Sequence, residues 1–146
     1  MLIDLQLHST YSDGYLTPTE LVKFLSRQGV KVAALTDHNT VGGIEEFKKA
    51  CRVEKIKSIA GIELYAKFKS KRFNVLWYNL DPESPRLHDM LRKSHIRRRQ
   101  QMRRILDKLV EAGFKIEVDK ILDRYNRYVP INHVIDRILE NKDNFK

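Results

Sequence analysis

Val30-Lys31-Val32-Ala33-Ala34-Leu35-Thr36-Asp37-His38 is the stretch on which the fold turns. Val32 to Leu35 runs without polar alternation, so the strand is expected to be buried on both faces, as strands of parallel sheets are. Parallel strands need crossover segments between them, and the flanking sequence supplies these. Upstream, Thr17-Pro18-Thr19-Glu20 reads as a helix start, with Thr17 at the N-cap, Pro18 in the first helical position and Glu20 closing a capping box. Leu21, Val22, Leu25 and Gln28 continue along one face, and Gly29 stops the helix. Earlier still, Leu2 to Leu7 alternates: Ile3, Leu5 and Leu7 share one side, Leu2, Asp4, Gln6 and His8 the other. Downstream, a helix from about Val41 to Glu54 leads to a third strand from Lys57 to Glu63, with continuation toward Phe68. Strand, helix, strand, helix, strand predicts a parallel α/β fold with right-handed crossovers.

Beyond it, Lys69-Ser70-Lys71 is a polar turn and Phe73 to Tyr78 a further strand. Ser84 as N-cap and Pro85 after it open a long helix to about Ala112, with Leu87, Leu91, Met102, Ile105 and Leu109 apolar and Gly113 ending it. Its middle, Arg92 to Gln101, has little to bury. Two shorter helices, near Val118 to Tyr125 and Asn132 to Glu140, complete the chain. The pattern thus divides into a β/α region, residues 1–84, and a helical, basic region, residues 85–146.

A length of 146 residues suits one domain with a real core. A composition of 42% hydrophobic and 32% charged residues is that of a soluble globular protein, and no apolar run approaches the roughly 20 residues that span a bilayer. The N-terminus meets Asp4 and His8 before any signal-like apolar stretch develops, so a cytoplasmic location and no membrane partner are expected. Cys51 has no cysteine to pair with in the chain and reads as a buried thiol on a helix. The net charge of +9 predicts attraction to polyanions, either nucleic acid or phosphorylated metabolites. Arg97, Arg98, Arg99, Arg103 and Arg104 crowd one predicted helix but point around nearly its whole circumference. That distribution favours a solvated helix over a groove-binding one.

The chemistry is expected at the strand ends: Gln6 and His8 after the first strand, Asp37 and His38 after the second, Glu63 after the third, with Asp13 from the first loop. In parallel α/β folds the C-terminal strand ends form the active-site face, so these groups should converge. Singly, each has a bland reading: a surface histidine, a turn aspartate before Gly14, a strand-end glutamate. Jointly they suggest a site. Mixed imidazole and carboxylate donors suit manganese, zinc or iron, and the absence of thiolates argues against a structural zinc knot.

Asp4-Leu5-Gln6-Leu7-His8-Ser9-Thr10 with Ser12-Asp13-Gly14 resembles the opening motif of the PHP (polymerase and histidinol phosphatase) family, Asp-x-His-x-His-Ser/Thr followed by Ser-Asp-Gly. Leu35 to Thr40 with Gly42-Gly43 is similar to its second motif, and Gly61-Ile62-Glu63 to its third. Phe73 to Tyr78 lies where the family has a strand carrying a histidine, and the basic helix with Ala112-Gly113-Phe114 resembles the helical insertion of the branch that hydrolyses nucleoside bisphosphates and RNA ends. The match is strongest over the first 80 or so residues.

The resemblance implies a distorted, TIM-like β/α barrel holding up to three divalent metal ions in a metal-dependent phosphoesterase. It assigns His8 to one metal, Asp13 and His38 to a second, a bridging role to Glu63 and a third metal to His133, and it has Asp37 orient His38 or a neighbouring ligand. Asp37 and Glu63 are its catalytic carboxylates. The implied partners are a phosphorylated small molecule or a nucleic-acid end. Two departures stand out: Gln6 and Asn74 replace family histidines, and amides are weaker ligands than imidazole for these metals. A β/α barrel takes about 250 residues, so the barrel is expected to be incomplete, with a further C-terminal segment or a second copy of the chain completing it. Two functions compete on this reading: hydrolysis of phosphate esters, weakened by the lost ligands, or a catalytically degenerate PHP-fold module that binds RNA or a protein partner.

Overall fold

The computed structural model describes residues 1–125 and 128–145 and divides into two compact units, Met1–His88 and Asp89–Lys146.

In the first unit, β1 (Leu2–Leu7), α1 (Pro18–Arg27), β2 (Val30–Leu35), α2 (Ile44–Val53) and β3 (Lys57–Phe68) follow the predicted alternation. The capping box forms: Glu20 N donates to Thr17 Oγ1 and Thr17 N to Glu20 Oε2. Gly29, with φ of 78°, turns the chain out of α1 in a conformation that costs other residues more. β1 pairs parallel with β2, and β2 with β3. Helices α1 and α2 pack on each other and against β2 and β3. Val22, Ala33, Ala34, Leu35, Ile44, Phe47 and Cys51 are almost wholly excluded from solvent, and burial pushes the Cys51 thiol up to about 11.

The fourth strand departs from the parallel pattern. β4 (Lys71–Tyr78) runs antiparallel to β3, with Glu63 opposite Leu76 and Tyr65 opposite Asn74. The cause is the link, because a two-residue turn at Lys69 and Ser70, with Lys69 at φ of 53°, can only reverse the chain. The result is a mostly parallel α/β sheet in the order β1-β2-β3-β4, a partial barrel left open at β1 and β4. Its open edges carry exposed apolar side chains, Ile3 and Leu5 on β1 and Phe73, Val75 and Trp77 on β4.

The second unit is helical. It comprises most of α3 (Pro85–Glu111), then α4 (Val118–Asp123), α5 (Ile131–Glu140) and a short 3-10 turn at Lys142–Phe145. Met102, Leu106, Leu122, Val129, Val134 and Ile138 form its core. Leu106, not the Ile105 expected from the sequence, faces that core: Met102, Leu106 and Leu109 follow the i, i+4, i+7 row, and Ile105 falls beside it in solvent. Three of the clustered arginines bond to neighbouring segments of the unit. Arg99 donates to the carbonyls of Leu122 (2.5 Å) and Tyr125 (3.3 Å) at the end of α4, and to Asp123 (2.6 Å). Arg98 donates to Val129 O and lies over the Tyr128 ring, and Arg103 pairs with Asp119. A cation at a helix C-terminus satisfies carbonyls that have no partner within the helix.

Candidate metal centre

The parallel pairing of β2 and β3 runs to Leu35 opposite Ala60. Beyond it, a single bridge joins His38 to Glu63, with Asn39 N donating to Glu63 O (2.9 Å) and Glu63 N to Asp37 O (3.2 Å). Asn39 takes the left-handed conformation, φ of 49°, that asparagine tolerates better than most residues. Its side chain then accepts from Tyr65 N (3.1 Å), which ties the end of β2 to the antiparallel half of β3. Backbone hydrogen bonds thereby set His38 and Glu63 side by side.

His8 arrives from the end of β1. Its Nε2 lies 3.0 Å from Glu63 Oε2 and its Nδ1 3.3 Å from Asp13. The other Asp13 oxygen lies 3.4 Å from His38 Nε2. His8 and His38 hold their ring centroids 4.5 Å apart, and one donor atom from each of His8, His38 and Glu63 falls within 4.8 Å of the others. Glu63 is 3% exposed and Asp37 1%. The hydrogen bond with Asp13, partly opposed by burial, raises the His8 imidazole above its ordinary value. Hydrogen bonds from His38 and then His8 hold Asp13 well below the usual carboxylate range.

Asp37 reaches the neighbouring ligand candidate Asp13 through the loop and makes no direct contact with it. Its carboxylate accepts from Ser9 N (2.6 Å), Ser9 Oγ (2.7 Å) and Ser12 Oγ (2.6 Å), so it organises the loop that carries Asp13. Burial pushes its carboxyl up, against the lowering effect of those hydrogen bonds. Gly14 completes the loop through close approach: a Cβ there would stand 2.3 Å from the carbonyl oxygen of His8. Asp13-Gly14 looks like an ordinary turn in sequence, and this contact is what the turn conceals.

Both substituted amides belong to the same face. Gln6 Nε2 donates to Glu63 Oε2 (3.1 Å), and Asn74 lies on the Glu63 side of the β3–β4 ladder, two positions from the Leu76 that opposes Glu63. Tyr65 was not anticipated. Its ring stacks on His38 at 4.7 Å with a 16° tilt, and its place two residues after Glu63, on one strand face, was the available signal. His133 stands half-buried in the first turn of α5, in the second unit.

Two imidazoles and a buried carboxylate converging within coordination reach, with Asp13 beside both rings, fit a divalent ion that favours nitrogen and oxygen donors. Cys51 is buried in α2 and is no part of this set.

Among known proteins, a 5'-3' exoribonuclease of Haemophilus influenzae is 38% identical over 110 residues, covering 75% of this chain and 40% of that protein. A 3',5'-nucleoside bisphosphate phosphatase of Chromobacterium violaceum is 32% identical over 114 residues, covering 76% and 40%. An amidohydrolase structure from C. violaceum, with bound sulfate and no metal, superposes with a TM-score of 0.81 at 26% identity, over 98% of this chain and 51% of that one. The chain therefore spans about half the length, or somewhat less, of the relatives it matches. The PHP domain model matches residues 4–140. With this match added to the motifs and the α/β sheet, the chain belongs to the PHP domain family.

Proposed function

We propose that this chain carries the metal-holding part of a phosphoesterase that acts on a nucleotide or a nucleic-acid end. One observation carries the reading: His8, His38 and Glu63, from three different strand ends, bring donor atoms within 4.8 Å of one another. Residues 1–84 are the metal-site region and 85–146 a basic insertion. His8, Asp13, His38 and Glu63 would hold manganese, zinc or iron. Such an ion supplies Lewis-acid stabilisation of the charge that develops on phosphoryl oxygens and acidifies a nearby water.

The side chains have separable tasks. Glu63, buried and in contact with His8 and Gln6, is the carboxylate best placed to orient donors and to accept a proton. Asp37 acts through Ser9 and Ser12 by fixing the Asp13 loop. The named activities of the exoribonuclease and the bisphosphate phosphatase point to a phosphate ester at a nucleotide or RNA terminus, and a net charge of +9 favours such an anion.

A second reading has one observation in its favour. Gln6 donates to the Glu63 oxygen that His8 also approaches, so one oxygen of this carboxylate is already engaged by two protein groups. A degenerate site in a binding module would look like this. The two readings separate in one experiment on the purified chain, which measures bound metal by mass spectrometry and hydrolysis of adenosine 3',5'-bisphosphate with added manganese. Metal uptake and turnover, both lost in His38→Ala, are expected. Absence of both in the wild-type chain would discard the enzyme reading.

A further inference from the structure

The five clustered arginines of α3, Arg97, Arg98, Arg99, Arg103 and Arg104, fall into two sets that sequence alone could not separate. Arg98, Arg99 and Arg103 bond to α4 and to the segment before α5. Arg97 and Arg104 make no such bond with a described residue. With Lys93 and Lys108 they fall in a sector of about 60° on the helix, opposite the buried Met102 and Leu106. All four are exposed. Lys93 is paired with Asp89 (2.7 Å), whereas Arg97, Arg104 and Lys108 make no ion pair with a described residue. Gln100 and Gln101 flank the row and Glu111 bounds its end, and no apolar residue falls within it from Lys93 to Lys108. Its length is about 22 Å at the helical rise.

We propose that this row of α3, Lys93, Arg97, Arg104 and Lys108, is a docking surface for the sugar-phosphate backbone of single-stranded RNA. The choice of RNA among polyanions rests on the function proposed above; the row itself rests on the sorting of the arginines. Repeated cations in a line match repeated phosphates, and carboxamides between them can hydrogen-bond to phosphate and sugar oxygens. A helix that lies on a lipid surface needs apolar side chains beside its cations, and this sector has none.

The test is fluorescence anisotropy of the intact chain with a labelled 12-nucleotide polyuridine RNA in EDTA, which stops hydrolysis, across a salt series. Four phosphate contacts predict a slope of about −2.8 in log affinity against log salt. Arg97→Gln with Arg104→Gln should reduce it to about −1.4 and weaken low-salt binding about tenfold, with melting unchanged. Lys31→Gln with Lys57→Gln, exposed cations of the first unit, should leave both unchanged. No RNA binding by the wild-type chain, an unaltered slope in the arginine variant, an equal loss in the lysine control, or capture by phosphatidylserine vesicles in place of RNA would each overturn the proposal. Metal uptake and bisphosphate hydrolysis are measured separately, so their failure beside intact RNA binding would count against the enzyme reading and leave the row standing.

Discussion

The strand-end site of the first unit and the arginines of α3 show two ways in which a chain handles charge. In the site, Asp37, His38 and Glu63 are buried among Ser9, Ser12, Thr36, Asn39 and Thr40, and the carboxylates are engaged by neighbouring donors. Burial makes an unmatched polar group costly, so the geometry there is tightly determined. On α3, water solvates whatever the protein does not, and position on the helix circumference decides which arginines become structural. The lesson is that a buried charge fixes structure and an exposed row of charges sets an electrostatic field.

Four experiments test that contrast, in order of expected effect. Gly14→Ala forces a Cβ against the His8 carbonyl; urea unfolding should show a loss of about 3 kcal/mol, and calorimetric titration should show manganese affinity falling with it. A loop that absorbs the methyl without loss would mean the site is less constrained than the buried network implies. Asp37→Ala strands the Ser9 and Ser12 donors and should lower metal affinity by about 10–100-fold, the usual cost of removing a group that orients ligands. Gln6→His with Asn74→His returns two imidazoles to the Glu63 face and should raise manganese affinity by about tenfold, whereas unchanged affinity would place one of those side chains away from the site. Last, Arg99→Ala removes the carbonyl partner at the end of α4 and should cost about 1–2 kcal/mol, while Arg97→Ala should stay within about 0.5 kcal/mol. Equal effects of these two in thermal melts would erase the division of α3 into structural and free cations.

Much of the first unit could be read from sequence because its signals are local. The Thr17 to Glu20 capping box, the apolar run in β2 and the Gly29 stop each act over a few residues, and each appears where expected. The direction of β4 was legible too, in the shortness of the Lys69-Ser70 link, yet a pattern read strand by strand passes over it. The Leu106 row in α3 was obscured because Ile105 and Leu106 are adjacent and both apolar, and only the second unit's core selects between them.

The sequence by itself determined the element order, the helix boundaries to within a few residues and the donor types at three strand ends, since propensity, capping and periodicity are properties of neighbouring residues. Tertiary structure alone decided that Asp37 serves the Asp13 loop, that Tyr65 stacks on His38, that Gln6 reaches Glu63, and which arginines of α3 bond to α4 and the segment before α5. Each of these depends on residues far apart in the chain meeting at hydrogen-bond or ring-contact distance. Their pairing is set by strand register and burial, which no local window contains.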